Sequence, residues 1–268
     1  MKDWEVKAQS WSDLHEKLFV DSWDDRIGRF RSRHVFRGLD SADYSLTTTL
    51  ARLGGPFRVL EGHLRRNFRK YAPHAVVERD SDWHWITLAQ HHGLPTRILD
   101  WSYSPQVAMH FATWKREDMN KDGAVWVVNV ESVMALAPQR FQEAWRKVGG
   151  YGLDLDSLPI LVPTMEEFEA RGSLSPFAVF YEPPSIDERI VNQFAIFSAL
   201  SDPGLAMDDW LTSPPVRDRV FFRKVIIPSD LKWEVRDKLD HLNVTERVLF
   251  PGLDGLCQWL RRYYGPKT

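Results

Sequence analysis

Gln90-His91-His92-Gly93-Leu94-Pro95-Thr96-Arg97-Ile98-Leu99-Asp100-Trp101-Ser102-Tyr103-Ser104-Pro105-Gln106-Val107-Ala108-Met109-His110-Phe111-Ala112-Thr113-Trp114 is the stretch on which the reading of this chain turns. Gly93 and Pro95 stop one helix, with glycine at the left-handed position past its end and proline shortly after. Ser104 and Pro105 start another, as N-cap and first helical residue. Between them lie Arg97, Asp100, Trp101 and Tyr103. A purely structural turn would be polar and bland. Ionisable groups beside aromatic faces suit a nucleotide or another planar ring.

Working outward, residues 9–31 read as an entry helix, with Ser12 as N-cap and Leu14, Leu18 and Phe19 in a stripe. His34–Phe36 reads as a short strand ending in Arg37-Gly38. Residues 59–72, 82–92 and 105–116 carry helical spacing, the last through Val107, Ala108, Phe111 and Ala112. Gly123–Val130 is a β-rich run suited to a central strand. Residues 139–148 read as a helix and 149–176 as an irregular insertion. Phe177–Tyr181 and Phe194–Leu200 read as strands, separated by Glu182-Pro183-Pro184-Ser185. Residues 202–216, with Pro203, Gly204, Pro214 and Pro215, read as a loop. Arg219–Ile227 is a strand, 228–241 a helix, Val248–Phe250 a short strand and Asp254–Tyr264 a closing helix. The strands are not regularly separated by crossover helices, so the expected class is α+β, with mixed or antiparallel sheets and flanking helices. The whole chain, 1–268, reads as one domain, with core motifs at about 34–200 and a strand-helix extension at 201–268.

Composition sets bounds. The chain has 268 residues, 43% of them hydrophobic, enough for a sizeable core. A formal net charge of −2 gives no global field toward nucleic acid or an anionic membrane, although Arg65, Arg66, Arg69 and Lys70 form a local basic patch. A single cysteine, Cys257, excludes an internal disulfide and a thiolate metal cluster. Set between Leu256 and Trp259 on an amphipathic helix, it is expected to be buried and inert. The N-terminus lacks an apolar signal core, and no apolar run approaches the roughly 18 residues of a membrane span. The expected setting is cytoplasmic, with no membrane partner.

The chemistry-bearing residues admit two readings each. Arg37 at a strand end is a good phosphate hand, because a guanidinium binds phosphate oxygens bidentately; the alternative is a structural partner of a carboxylate. Gly38 lets a ligand or a backbone approach closely. Arg97 is a second phosphate hand or, preferably, the local partner of Asp100. Asp100 either caps a turn or faces a cation developing on a sugar. His91 and His92 complement a helix C-terminus. Adjacent helical residues point about 100° apart, so the two do not converge on one metal, and a metal-dependent nuclease built on His91, His92 and Asp100 ranks last. Gln193 is an edge residue or orients a ribose hydroxyl. Asp187 and Glu188 lie nearby to supply a carboxylate, with Glu188 and Asn192 on one face if the following strand begins early.

These residues also carry a resemblance. His34-Val35-Phe36-Arg37-Gly38, the segment Gln90–Arg97 with Leu99–Trp101, Ser104–Pro105, Ala108 and Phe111–Ala112, and the block Arg189–Phe197 together resemble the FRG domain, named for a Phe-Arg-Gly triplet. The order of elements is similar to the ADP-ribosyltransferase fold. In that fold, a first strand ending in Arg-Gly holds NAD, a second strand leads into an Ala-x-x-Phe-Ala helix, and a later strand opens with a catalytic Glu. Arg37-Gly38 matches the first element and Ala108, Phe111 and Ala112 the helix. Gln193 stands where the Glu would lie, and Leu99-Asp100-Trp101-Ser102 stands ahead of the helix in place of Ser-Thr-Ser-like residues. The resemblance implies an NAD-consuming ADP-ribosyltransferase-like enzyme with no metal. Arg37, Gly38, Arg97, Trp101, Tyr103 and His91 are the candidates for holding NAD, with Trp101 or Tyr103 stacking on a ring. Asp100, Glu188 and Gln193 are the catalytic candidates. The acceptor is protein or nucleic acid, and the setting a toxin or phage-defence effector with a possible antitoxin partner. The alternative is a non-catalytic nucleotide- or nucleic-acid-binding module.

Overall fold

A computed structural model describes residues 2–73, 79–149, 151–185 and 187–267. Its strands are β1 (Glu5–Lys7), β2 (Trp23–Asp24), β3 (Arg29–Phe30), β4 (His34–Leu39), β5 (Ile98–Ser102), β6 (Gly123–Asn129), β7 (Leu153–Asp154), β8 (Ala178–Glu182), β9 (Ala195–Leu200) and β10 (Phe222–Ile227). Among the described residues eight of them form one sheet in the order β1-β10-β6-β4-β5-β9-β8-β7, while β2 and β3 pair separately. The pairs β1–β10 and β7–β8 are parallel and the other pairs antiparallel. With helices on both faces, this is the mixed α+β architecture expected.

Period-two alternation sorts the core into two layers. On one face Phe36, Val125, Val127, Val225 and Ile227 pack under helices Trp11–Leu18, Pro105–Ala112 and Ser229–His241. On the other, Val35, Trp126, Val128, Leu99 and Trp101 join a larger cluster with helices Asp82–His91, Gln139–Val148 and Met165–Arg171. Covered on both sides, β6 is buried along nearly its whole length, as its continuous apolar run requires. β10 lies inside the sheet, between β1 and β6.

Gly38 is where helix Pro105–Ala112 touches the sheet. A Cβ there would stand 1.9 Å from the Ala108 carbonyl oxygen and 2.6 Å from the Ala112 nitrogen. Glycine is therefore needed for helix and strand to approach this closely. The helix starts as read: Ser104 Oγ accepts from Val107 N, with Pro105 in the first turn. The helix before it ends as read, with Gly93 at φ +81°.

Several sequence expectations are corrected. The 97–103 segment is not a turn but contains β5. Ile98, Leu99 and Trp101 are a short buried run flanked by prolines, and burial between β4 and β9 fixes it as a strand. The entry helix covers only Trp11–Leu18 and is capped by Ser10, whose Oγ accepts from Asp13 N, rather than by Ser12. Asp21 turns left-handed at φ +52°, and a hairpin bearing exposed Trp23 and Phe30 follows. The 149–176 segment holds β7 and helices Ser157–Leu161 and Met165–Arg171, whose Leu158, Met165 and Phe168 enter the core. The 202–216 segment contains helix Met207–Thr212, anchored by Trp210 donating to the Pro176 carbonyl. Val248–Phe250 is no strand: Thr245 caps helix Glu246–Leu249. Glu188 and Asn192 belong to helix Glu188–Asn192, capped by Asp187, so strand alternation does not relate them. Cys257 is exposed, because its helix, Leu253–Tyr263, turns Gly255, Leu256 and Trp259 inward instead. Among the described residues no helix is long and apolar enough to cross a membrane.

Candidate functional site

β4 and β5 meet at the single ladder pair Phe36–Ser102, whereas β4 pairs along its length with β6 and β5 with β9. Past that pair the strands part. Arg37 Nη1 crosses the gap and donates to the backbone carbonyl of Asp100. A cavity of about 180 Å³ opens at this seam. Its walls are Val107, Ala108 and Phe111 of helix Pro105–Ala112, and Arg189, Ile190 and Gln193 at helix Glu188–Asn192. Arg37, Asp100 and Gln193, far apart in sequence, therefore border one space.

Arg37 is a poorly satisfied cation in that space. Its side chain is 20% exposed, and its Nη1 stands 3.9 Å from Asp100 Oδ2, too far for the bidentate pair of the structural reading. Its Nε is buried without a partner. A guanidinium has five N–H donors in a planar fork, and the protein offers this one little besides a single carbonyl. Burial pushes the Arg37 guanidinium down from its ordinary value, with Asp100 opposing and Arg52 adding to the shift. An anion entering the cavity would supply bonds that one carbonyl and a carboxylate 3.9 Å away do not.

Asp100 is held toward the cavity. Thr96 Oγ1 donates to Gln90 Oε1, and Gln90 Nε2 donates to Asp100 Oδ2 at 2.8 Å. Asp100 keeps 52% of its side chain exposed, so its carboxylate reaches both solvent and cavity. Its next neighbours on β5 are buried.

The other candidates divide. Gly38 borders the cavity, but what it admits is the helix backbone. His91 also borders it and pairs with Asp187 Oδ2 at 2.5 Å, which fixes the ring. Burial pushes the Asp187 carboxyl up, but the Ile190 N–H and His91 together bring it below its ordinary value. Gln193 caps helix Glu188–Asn192; its Nε2 donates to the Leu249 carbonyl at 2.9 Å, and its own carbonyl accepts from Ser102 Oγ at 2.7 Å. Its amide nitrogen is thus already engaged.

Four candidates fall away from the inner cavity. Arg97 does not pair with Asp100: it is buried, with Nε 2.7 Å from Glu61 Oε1 and Nη2 on Glu61 Oε2, so it is a structural cation rather than a phosphate hand. Trp101 touches the cavity's edge, but its indole is 3% exposed, donates to Ser198 Oγ at 2.8 Å and packs edge-on to Phe180. It offers no face to a ligand. Tyr103 donates to Glu182 Oε1 at 2.8 Å, its phenol pushed up by burial and by that carboxylate, and does not line the cavity. Glu188 is exposed and borders only an outer groove of about 730 Å³. Gln90, His91 and Arg189 line both the groove and the inner cavity, so the two adjoin.

Two residues with no role in the sequence reading now have one. Gln90 positions Asp100. Arg189, its guanidinium 5.0 Å from the Phe250 ring centroid, stands where cavity and groove join. Both sit inside the motif blocks, and that placement was the only signal. Among the described residues no group of three or more His, Cys, Asp or Glu is arranged to hold a metal ion.

Residues 32–121, about a third of the chain, match the family model of the FRG domain, and this supports placing the chain with that family. The matched span carries Arg37, Gln90 and Asp100. No curated protein and no solved structure matches the chain.

Proposed function

We propose that the seam between β4 and β5 binds an NAD-like dinucleotide and that the protein is an ADP-ribosyltransferase-like enzyme. The observation that carries this reading is Arg37: a half-buried guanidinium with an unpartnered Nε, bordering a cavity and beside a carboxylate. The inner cavity alone is smaller than the roughly 300–1,000 Å³ of ordinary small-molecule sites. The outer groove of about 730 Å³ extends it enough for a dinucleotide.

In this reading Arg37 takes pyrophosphate or ribose oxygens, and Phe111, at the cavity wall, meets the ring. The N-glycosidic bond breaks, nicotinamide leaves with the bonding electron pair, and the ribosyl C1 becomes oxocarbenium-like. Asp100 faces that developing cation, and an acceptor nucleophile then bonds to C1. The acceptor is protein or nucleic acid, as befits a toxin or phage-defence effector. Incubation with NAD labelled in the adenylate, in a cell lysate, tests this. Label appearing in material sensitive to protease or nuclease, together with free nicotinamide, is the expected result. No binding of NAD even at millimolar ligand would remove it.

A non-catalytic nucleotide-binding module is the second reading. The engagement of Gln193 Nε2 with the Leu249 carbonyl favours it, because the residue at the expected catalytic position is serving the fold. Binding of NAD without release of nicotinamide selects this reading.

A further inference from the structure

Beyond the C-terminal end of helix Pro105–Ala112 lies a second cavity, of about 450 Å³, that the seam site does not use. Its floor is an ionic network. Arg236 is wholly buried, donating from Nη2 to Glu246 Oε1 at 2.6 Å and facing His110 Nδ1 with Nη1 at 2.8 Å. Arg262 joins Glu246 to Asp240, with Nε 2.7 Å from Glu246 Oε1 and Nη1 2.8 Å from Asp240 Oδ2. Two cations and two carboxylates leave the floor neutral. Arg236 Nε, however, is buried with no partner.

The rim carries Lys115 and Arg261, with Arg116 and Glu117 beside them. The carboxylate of Asp40 is 4.0 Å from Lys115 Nζ, and Arg116 Nη2 donates to the Pro266 carbonyl. Arg261 is exposed and in no ion pair among the described residues. Two large partly buried rings, Trp114 and Trp233, line the same space. A concave site with indole rings and an exposed rim arginine in no ion pair among the described residues matches a planar ring carrying a phosphate. The rings supply stacking surface and the rim supplies charge.

We propose that this cavity binds a nucleoside phosphate, its base against Trp114 and Trp233 and its phosphate at Lys115 and Arg261. The site does not depend on the NAD reading, but it shares a wall with the seam. Trp114 stacks on Phe111 at 5.3 Å between centroids, and Phe111 lines the inner cavity. Glu246, in the floor, begins the helix whose Leu249 carbonyl holds Gln193.

Calorimetric titration of the full chain with adenosine monophosphate tests the proposal, using the unmutated protein, Arg37→Ala, Arg261→Glu and Trp233→Ala. Arg261 is exposed on its helix, so its reversal leaves the fold intact, which circular dichroism and the Tm verify. Adenosine monophosphate binding that survives Arg37→Ala and weakens at least about tenfold in Arg261→Glu is the expected result, the size of a lost charge-assisted contact. NAD binding at the seam is unchanged by Arg261→Glu. Failure of adenosine monophosphate to bind at millimolar concentration overturns the proposal. So does an affinity indifferent to both Arg261→Glu and Trp233→Ala, or one lost in Arg37→Ala and kept in Arg261→Glu; that last pattern places the nucleotide at the seam and leaves the NAD reading standing.

Discussion

Arg37 reaches Asp100 through its backbone and not through its carboxylate: Nη1 donates to the Asp100 carbonyl while Oδ2 stays 3.9 Å away. The two are neighbours across the parted strands without neutralising each other. A cation and an anion held close but uncombined are available to a ligand that carries both a phosphate and a sugar about to become cationic.

Replacing Arg37 should therefore damage binding more than folding. A charge-assisted contact to phosphate contributes roughly 1.5–3 kcal/mol, so Arg37→Ala should weaken NAD binding about ten- to a hundredfold. Arg37→Lys should restore little, since an ammonium lacks the fork. Calorimetry on the folded variants, alongside their Tm values, reads the result; a collapse of Tm with binding lost only through unfolding would make Arg37 a structural residue.

Asp100→Asn separates binding from chemistry. Loss of a group aimed at developing charge costs on the order of 10²–10³ in turnover, so nicotinamide release should fall by that factor with NAD affinity little changed. Equal turnover in the variant would remove Asp100 from the reaction.

Arg97→Ala should behave in the opposite way to Arg37→Ala. It strands the buried Glu61 carboxylate, and breaking a buried pair costs about 3–5 kcal/mol. Urea denaturation should show the loss directly. A variant as stable as the parent that binds NAD poorly would return Arg97 to the ligand site.

Gly38→Ala should lower the Tm by several degrees. The added methyl has only backbone to meet, at 1.9 Å from the Ala108 oxygen, and overpacking of this kind costs about 1–3 kcal/mol. An unchanged Tm would mean that helix Pro105–Ala112 is not held against β4 as described.

His34 sets a pH dependence. Burial lowers its pKa to about 4, its Nδ1 is without a partner, and its ring stacks on Phe221. The unfolded chain takes up a proton near pH 6.5 and the folded one only near 4. Stability should therefore fall as pH drops through that window, by roughly 3 kcal/mol in all, and level off below it. His110, pushed well below its ordinary value by burial and by Arg236, acts in the same direction. Denaturation midpoints between pH 7 and 4 should be flatter in His34→Phe than in the parent; identical slopes would exclude this histidine.

Local signals carried much of the architecture. Ser104-Pro105 and Gly93 bounded two helices because caps and left-handed turns act within a few residues. Gly123–Val130 announced a central strand because burial on both faces demands a continuous apolar run. The α+β class followed from the order of such elements, and Arg37, Asp100 and Gln193, which border one cavity, stood out as candidates because their residue types differ from their surroundings. What pairing decides was out of reach. Ile98-Leu99-Asp100-Trp101 became a strand only by burial between β4 and β9, and that strand sent the Trp101 indole into the core while leaving Asp100 accessible. Arg97 and Arg37 look alike in sequence; Glu61, 36 positions away, neutralises one, and nothing comparable meets the other. A side chain's availability depends on what the fold brings beside it, and partners that distant in the chain are set by tertiary packing alone.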